Sequence, residues 1–413
     1  MEFILPLVVC LAVGIILTYV LTARLEAAER AWLRRTVLFA LILRLMFATM
    51  FALVPSTRIF HEDATGYEEV GMHIADGWTG RAPPFPFVGD LPNQGFFYVS
   101  AAIYTVLGGI RAAVSYVNAV IGSLTVLLVY RLSRRFFHSV VARLAAALTA
   151  YTPSMILWSS IALKDPLMSA LVLLTLGSCV DLKRRFTLRA LLGVALPIVC
   201  MQPVRFYMVY FISFAVLVSL ILERRGGVLT GVPKQALIGA TVAGLLLLVG
   251  LSGAAQQNAE MLTFERVSQF RHGMATTANS GFSSEVDVST PARALAFLPM
   301  GVAALLLAPF PWQFTSLRAS FAAPEMIVWW VLFPSLIAGL RFAVKNRFTQ
   351  IAPLALFAAM LTAAYGLMQG NVGSGFRQRA QIFVVLFIFT ALGWYRRKCR
   401  RLGIDENQLF VSG

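Results

Sequence analysis

Long apolar runs recur along the chain and are separated by short segments in which the charged residues collect. Each run is close to the ~20 residues that an α-helix needs to cross a bilayer, whereas the strands of a membrane β-barrel would alternate apolar and polar residues. The pattern therefore predicts an all-α polytopic membrane helical bundle. About eleven spans are predicted, at 3–21, 36–54, 114–132, 141–159, 166–182, 188–204, 206–222, 235–253, 325–341, 349–368 and 380–395.

Two further apolar segments do not fit as simple spans. Residues 96–107 are too few to cross comfortably, so an interfacial or re-entrant helix is predicted there. Residues 291–309 contain Pro299 and run into the sequence APFPW, where proline interrupts a helix. This second segment is predicted to be re-entrant, because both of its ends must stay on one side of the membrane. The alternative is that a neighbouring short run does not span.

The composition supports the membrane prediction. The chain is 58% hydrophobic and 13% charged, whereas soluble domains are about 45–50% apolar and about 25% charged. No soluble domain, repeat or low-complexity tract is evident, so one membrane-embedded domain over 1–413 is predicted.

The formal net charge of +16 could suggest a nucleic-acid partner, but the positions of the charges argue against one. Most of the 35 Lys and Arg residues fall in loops that the predicted spans place on one side, and the tail 396–413 is the densest cluster. The positive-inside rule makes that side cytoplasmic. Loops 55–113 and 254–290 are then extracytoplasmic. We expect a multi-pass protein of the plasma (inner) membrane, surrounded by lipid and without a nucleic-acid partner.

The segment His61 to Gly77, HEDATGYEEVGMHIADG, holds seven ionisable side chains in a chain otherwise poor in them. It follows the second predicted span directly, where carboxylates near the membrane suggest function. On a helix Asp63, Tyr67 and Gly71 share one face. Asp63 is therefore a candidate catalytic carboxylate, and the alternative is that it only caps the helix.

A second acidic candidate opens a predicted span in the sequence SSIALKDPLMSALVLL. Lys164 offers a point charge for a phosphate, and Asp165 could orient a sugar hydroxyl, pair with a cation or help hold a metal. The alternative is a simple helix start, with Asp165 at the N-cap and Pro166 in the first helical position.

Outer arginines supply the remaining candidates. Arg377 and Arg379 follow a Gly-rich turn in GNVGSGFRQRAQ, and Arg205 lies in QPVRF. Guanidinium groups bind phosphate oxygens through paired donors. Pairing with lipid headgroups is the alternative for all three.

The sequence gives little sign of a metal or nucleotide site. No Walker loop or HExxH helix is present, and the four cysteines, Cys10, Cys179, Cys200 and Cys399, are scattered without ligand spacing. We expect small core residues at these positions, with neither disulfides nor a metal site. No required cofactor is predicted, although a divalent metal stays an alternative.

An apolar helix, an outer loop with the spacing of Asp63, Tyr67, Gly71, Ile74 and Gly77, and then a Pro-rich stretch resemble the membrane-embedded GT-C glycosyltransferases. That superfamily includes protein O-mannosyltransferases and aminoarabinose transferases, which take a sugar from a polyprenyl-phosphate carrier. The resemblance implies that Asp63 is the catalytic carboxylate. The chain departs from the family in having Gly71 where Ala is usual, and in an extra span before the loop.

The resemblance also extends to the later motifs. GT-C members often carry an acidic residue at the place of Asp165, and the segment with Arg377 and Arg379 is similar to one near the C-terminus of bacterial relatives. Asp63 and Asp165 are therefore the expected catalytic residues. The expected substrate-binding residues are Glu62, Tyr67, Lys164, Arg205, Arg377 and Arg379.

The expected reaction is an inverting sugar transfer to an extracytoplasmic glycan, lipid or protein hydroxyl. A polymerase or ligase of surface polysaccharides is an alternative, although such enzymes usually have a large late outer loop. A transporter is a weaker alternative. Transport would need polar groups inside the spans, and charge inside the spans is nearly limited to Arg44. Arg44 itself is expected to snorkel or to pair with an acidic residue of a neighbouring helix.

Overall fold

The computed structural model describes residues 3–54, 62–85, 94–222, 244, 263–277, 280–314 and 317–410, without the side chains of 62, 63, 317–319, 321 and 407. His61 and almost all of the predicted span 235–253 lie outside the described residues. Within them the chain forms fourteen α-helices and no β-strand, which confirms the all-α prediction. The helices are α1 Ile4–Thr22, α2 Ala27–Leu53, α3 Glu62–Trp78, α4 Gly95–Leu107, α5 Ala112–Arg134, α6 Ser139–Tyr151, α7 Pro153–Trp158, α8 Asp165–Arg184, α9 Leu188–Met201, α10 Phe206–Ile221, α11 Phe264–Thr277, α12 Pro291–Leu307, α13 Leu317–Met368 and α14 Val372–Arg401.

The helices have the lengths and compositions of a membrane protein. Among the described residues, six helices are long and apolar enough to cross a bilayer, and five shorter ones are apolar. The longest, α13, consists of two helices joined at a kink at Arg347. That residue separates the predicted spans 325–341 and 349–368. A membrane helical bundle is thereby confirmed as the fold class, while the number of crossings stays a prediction.

One predicted span is broken. The segment 141–159 was expected to be continuous, but α6 ends at Tyr151 and α7 begins at Pro153. Proline has no N–H, so the carbonyl of Thr149 loses its helical partner. The guanidinium of Arg44 replaces it by donating to the carbonyls of Thr149 and Ala150, at 3.1 Å each. A buried charged group therefore compensates for the break.

Two compact units are distinguished by the packing of the chain. The first comprises Met1–Leu173, Pro203–Arg205 and Asp405–Gly413, and the second comprises Leu174–Gln202 and Phe206–Ile404. The prediction of one membrane-embedded domain is not decided by this division.

The first unit is centred on α2, α5 and α6. Its core includes Leu33, Val37, Val126, Leu127 and Ala142, all fully buried. A second cluster joins α1 to α2 and α5 through Cys10, Leu41 and Tyr116. Cys10 is thus a small core residue, as predicted. The other cysteines are also free thiols, and Cys179 and Cys399 are buried as predicted. Cys200 is exposed, so the prediction of a core position was wrong for this residue.

Close contact between α13 and α14 is the main packing feature of the second unit. A Cβ atom added to Gly339 would lie 2.0 Å from the Phe389 carbonyl oxygen, and one added to Gly393 would lie 1.9 Å from that of Ser335. Small residues let helix backbones approach closely in membrane proteins, where dispersion contacts replace the hydrophobic effect. The two glycines therefore set the distance between these helices.

The described part of the loop predicted at 254–290 is fixed by polar contacts within the second unit. Arg271 on α11 is fully buried and donates to the carbonyls of Phe282, Ser283 and Val286. Desolvation by burial lowers the pKa of Arg271. Hydrogen bonds from Ser289 and Ser268 lower the pKa of Asp287 to about 2. Asp287 therefore stays ionised at physiological pH and closes the turn before α12.

Replacing Gly393 with Ala is expected to destabilise the protein by about 1–3 kcal/mol, the usual range for overpacking. The added methyl group must push α13 and α14 apart. Thermal unfolding of the purified protein in detergent measures the change. Gly273→Ala is the matched control, because a Cβ atom there meets nothing within 4 Å. Equal melting temperatures for Gly393→Ala and the unaltered protein would contradict this account of the packing.

Candidate active site

A buried ion pair forms the centre of the candidate site. α8 begins at Asp165, and Arg205 lies directly before α10. The guanidinium Nη2 of Arg205 donates to Oδ1 of Asp165 at 3.2 Å, and the two side chains are 3% and 2% exposed. Charges buried to this degree must be paired and hydrogen-bonded. The sequence motif and the isolated outer arginine thus form one structural feature within the first unit.

Lys164 extends this pair towards α3. Its Nζ atom donates to the carbonyl of Val204 at 3.3 Å and lies 5.7 Å from the ring centroid of Tyr67. A distance of this order permits a cation–π attraction. The structure therefore brings together four predicted site residues, namely Tyr67, Lys164, Asp165 and Arg205.

Tyr67 is positioned by aromatic packing between α3 and α4. Its ring lies 5.0 Å from that of Phe96 at 90°, and 5.3 Å from that of Phe97. A Cβ atom added to Gly71, one turn further along α3, would lie 2.7 Å from Cβ of Ser100. The departure from alanine at Gly71 therefore has a packing reason. Only glycine allows α4 to approach this closely.

Asp63 lies in the first turn of α3, four residues before Tyr67. Residues spaced by four share one helical face. The backbone therefore supports the predicted placement on the same side as Tyr67. The side chains of Asp63 and Glu62 lie outside the described residues, so their roles stay predictions.

The turn that carries Lys164 and Asp165 is held by a residue that sequence reasoning missed. Asn118 on α5 donates from Nδ2 to the carbonyls of Ile161 and Leu163, at 2.7 and 2.8 Å. Asn118 is 2% exposed. A polar residue inside an apolar predicted span was the available signal, since such residues are costly unless bonded. Asn118 fixes the backbone that leads directly into the ion pair.

Arg44 supports the same turn from its other end. Its Nε atom donates to Oγ of Ser159 at 2.8 Å, in addition to the carbonyls of Ala40, Thr149 and Ala150. Arg44 is fully buried. It neither snorkels to the surface nor forms an ion pair with a described acidic residue, so both expectations for it were wrong. Backbone carbonyls at the helix break before Pro153 accept the hydrogen bonds that a carboxylate would otherwise accept from Arg44.

The segment before Arg205 also contacts the start of α4. The backbone N–H of Gly95 donates to the carbonyl of Pro203 at 2.8 Å. A Cβ atom at Gly95 would lie 2.6 Å from Cβ of Pro203, so a larger residue would separate the two segments. Segments 203–205 and 159–165 are thus each fixed by backbone contacts, and the ion pair joins them.

The site offers favourable electrostatics for an anion. Two cations, Lys164 and Arg205, lie beside the one carboxylate of Asp165. The low exposure of Arg205 and Asp165 strengthens the electrostatic interaction between them. Among the described residues no group of three or more potential metal ligands is present. The expectation of no required metal is not tested by this and stays a prediction.

The predicted arginines of α14 lie in the second unit and differ from each other. Arg379 is fully buried, donates to the carbonyls of Leu306 and Ala308 at 3.0 Å each, and lies 3.7 Å from Glu325. It therefore stabilises the end of α12. Arg377 is only half-buried. Phosphate binding by either residue stays a prediction, and Arg379 would have to release its present partners.

Comparisons with known proteins bear on the fold and on part of the site. The family model for dolichyl-phosphate-mannose-protein mannosyltransferase matches residues 94–251. The match is less than half of the chain. It contains Asn118, Lys164, Asp165 and Arg205, and it begins after Asp63. A search of curated proteins found no match.

A solved structure shares the fold. The archaeal oligosaccharyltransferase AglB from Archaeoglobus fulgidus, in complex with an inhibitory peptide and a dolichol-phosphate, matches with a TM-score of 0.50 and 14% sequence identity. The match covers 92% of this chain and 53% of that protein, so this chain spans about half of its length. Together with the family model, this confirms the resemblance to the GT-C superfamily of glycosyltransferases.

Removing one partner of the buried pair is expected to be costly. Asp165→Ala should destabilise the protein by about 3–5 kcal/mol, because it leaves the guanidinium of Arg205 buried without its carboxylate. The double variant Asp165→Leu with Arg205→Met should recover most of this loss, since it removes both charges. Unfolding in detergent measures both effects.

The exposed pair of Arg293 and Asp287 provides the control. Its side chains are 61% and 44% exposed, so Arg293→Met should change stability by only about 0–1 kcal/mol. Equal losses from Asp165→Ala and Arg293→Met would show that the buried pair has no special role.

Proposed function

We propose that this protein is a glycosyltransferase that moves a sugar from a polyprenyl-phosphate donor to an extracytoplasmic acceptor hydroxyl. The observation that carries the proposal is the buried pair of Asp165 and Arg205 with the half-buried Lys164. Lys164 lies beside Tyr67, one helical turn after Asp63. The family description, with its dolichyl-phosphate-mannose donor, and the dolichol-phosphate bound to the structural neighbour AglB both support a lipid-linked donor.

Lys164 and Arg205 would bind the phosphate of the donor. The phosphate gains negative charge as its bond to the sugar breaks, and fixed cations in a dry site stabilise that charge more strongly than water does. Arg205 is oriented by Asp165, and the turn that carries Lys164 is fixed by Asn118 and Arg44. The site therefore needs little reorganisation when the charge develops.

Asp63 would act as the general base. Its carboxylate accepts the proton of the acceptor hydroxyl while that oxygen attacks the anomeric carbon of the donor. The bond between the anomeric carbon and the phosphate oxygen breaks, and the phosphate departs with the electron pair. Attack opposite the leaving group inverts the anomeric carbon. General-base catalysis of this kind contributes about 10²- to 10⁴-fold in rate.

Asp165 would act through Arg205. Its carboxylate accepts from the guanidinium, and a carboxylate that holds an arginine in one orientation preserves the directed donors that phosphate requires. Glu62 and Tyr67 would contact the sugar or the acceptor next to Asp63. Arg377, which is half-buried in the second unit, stays a predicted phosphate ligand.

The acceptor would be a glycan, a lipid or a protein at the outer face of the plasma membrane. AglB binds a peptide as well as dolichol-phosphate, which is consistent with a macromolecular acceptor. The basic tail 396–413 would lie in the cytoplasm under the positive-inside rule. The reaction would then draw on a lipid-linked sugar in the outer leaflet.

Asp63→Asn is expected to lower kcat by at least about 100-fold, because the amide keeps the shape of the side chain and cannot accept the proton. Transfer from a radiolabelled polyprenyl-phosphate sugar in proteoliposomes measures it. Asp76→Asn is the matched control, since Asp76 lies on the same helix in an exposed pair with Arg81 and should leave kcat unchanged. Near-normal transfer by Asp63→Asn would overturn the assignment of the base.

A further inference from the structure

Five uncharged polar side chains in the second unit form two hydrogen-bonded groups, which together we call the polar ladder. Four of them lie around the junction of α13 and α14, which also carries Arg377 and Arg379. The members of the polar ladder are Tyr207 on α10, Tyr365 on α13, Gln369 directly after α13, and Gln378 and Gln381 on α14. None of the roles proposed above uses them.

The polar ladder consists of two hydrogen-bonded rungs around the junction of α13 and α14. In the first rung, Nε2 of Gln369 donates to Oε1 of Gln378 at 2.5 Å. In the second, the hydroxyl of Tyr365 donates to Oε1 of Gln381 at 2.8 Å. The rungs are adjacent because members on one helix are three or four residues apart. The hydroxyl of Tyr207 lies 3.3 Å from that of Tyr365 and extends the ladder to α10.

A purely structural role does not account for all of these groups. Buried amides cost free energy unless their hydrogen bonds are made. Gln369 is 2% exposed, and its Oε1 atom has no hydrogen-bond partner among the described residues. If the oxygen and nitrogen of the Gln369 amide were assigned the other way round, the nitrogen would lack a partner instead of the oxygen. The polar ladder thus holds unused hydrogen-bonding capacity.

We infer that the polar ladder binds hydroxyl groups of an uncharged sugar. A sugar hydroxyl both donates and accepts, as do amide and phenol groups. The unused Oε1 atom of Gln369 requires a donor, which a hydroxyl supplies. A phosphate or carboxylate is a poorer ligand here because it only accepts, and none of the five side chains is charged.

The inference rests on the proposed function and assigns the hydroxyls to the sugar of the lipid-linked donor. Because acceptor glycans carry the same hydroxyl chemistry, the experiment must separate the two sources.

The variants Gln369→Met and Tyr365→Phe test the inference in the full-length protein in detergent. Each removes hydrogen-bonding atoms while keeping a similar volume. Affinity is measured for decaprenyl phosphate and for decaprenyl-phosphate hexoses, and donor and acceptor KM values are measured separately. We expect each variant to bind the best hexose-bearing lipid about tenfold more weakly, the factor for one lost hydrogen bond. Affinity for decaprenyl phosphate alone should stay unchanged.

Thr390→Val is the matched control. Thr390 is a fully buried residue of α14, and its hydroxyl donates to its own helix at the carbonyl of Leu386. Its replacement should lower neither affinity, even if stability changes. Equal weakening for the bare and the hexose-bearing lipid in the ladder variants would overturn the inference. So would a lower melting temperature with unchanged affinities, as expected of a structural role.

The kinetic constants identify the source of the hydroxyls. A rise in donor KM alone supports the donor assignment, whereas a rise in acceptor KM alone overturns it. Failure of this inference is distinguishable from failure of the proposed function. Asp63→Asn should lose transfer and keep its preference for the hexose-bearing lipid, whereas the ladder variants should keep kcat at saturating donor and lose the preference.

Discussion

Charged groups without access to water must find partners inside the protein, and this constraint organises the candidate site. The buried guanidinium of Arg205 meets it with the carboxylate of Asp165. The guanidinium of Arg44 meets it with carbonyls that Pro153 leaves without helical partners, and with the hydroxyl of Ser159. Each solution also fixes a segment of backbone. The cost of burying charge therefore orders the residues at the start of α8, and a site placed there is ordered before any ligand binds.

The second unit meets the same constraint at Arg379 and also contains a buried polar cluster without charge. Arg379 is buried against the carbonyls of Leu306 and Ala308, so a charge compensates for the unpaired end of α12. The polar ladder has no charge and consists of amides and phenols. Charge suits a phosphate, and mixed donors and acceptors suit hydroxyl groups.

Much of the fold could be predicted from hydrophobic patterning, but the polar contacts could not. The helices at 95–107 and 291–307, and the kink between 341 and 349, agree with the apolar runs and the charges that separate them. The break at Pro153 was visible as a residue type and was nevertheless read as part of one span. Asn118 was missed because a single amide in an apolar run has no distinctive spacing. Arg205 and Asp165 were each identified, yet only folding showed that they pair across forty positions of sequence.

The sequence by itself determined that this protein is a helical membrane protein, which segments are apolar, and which charged residues are candidates for chemistry. These properties depend on local composition and on the spacing of apolar residues over a few positions, and both can be read directly from the sequence. The tertiary structure alone decided which candidates meet, which arginine has its donors occupied by carbonyls, and where glycine permits two helices to touch. Those outcomes depend on distances between residues far apart in sequence, and the energy of a buried charge is set by the partners that folding brings within hydrogen-bonding range.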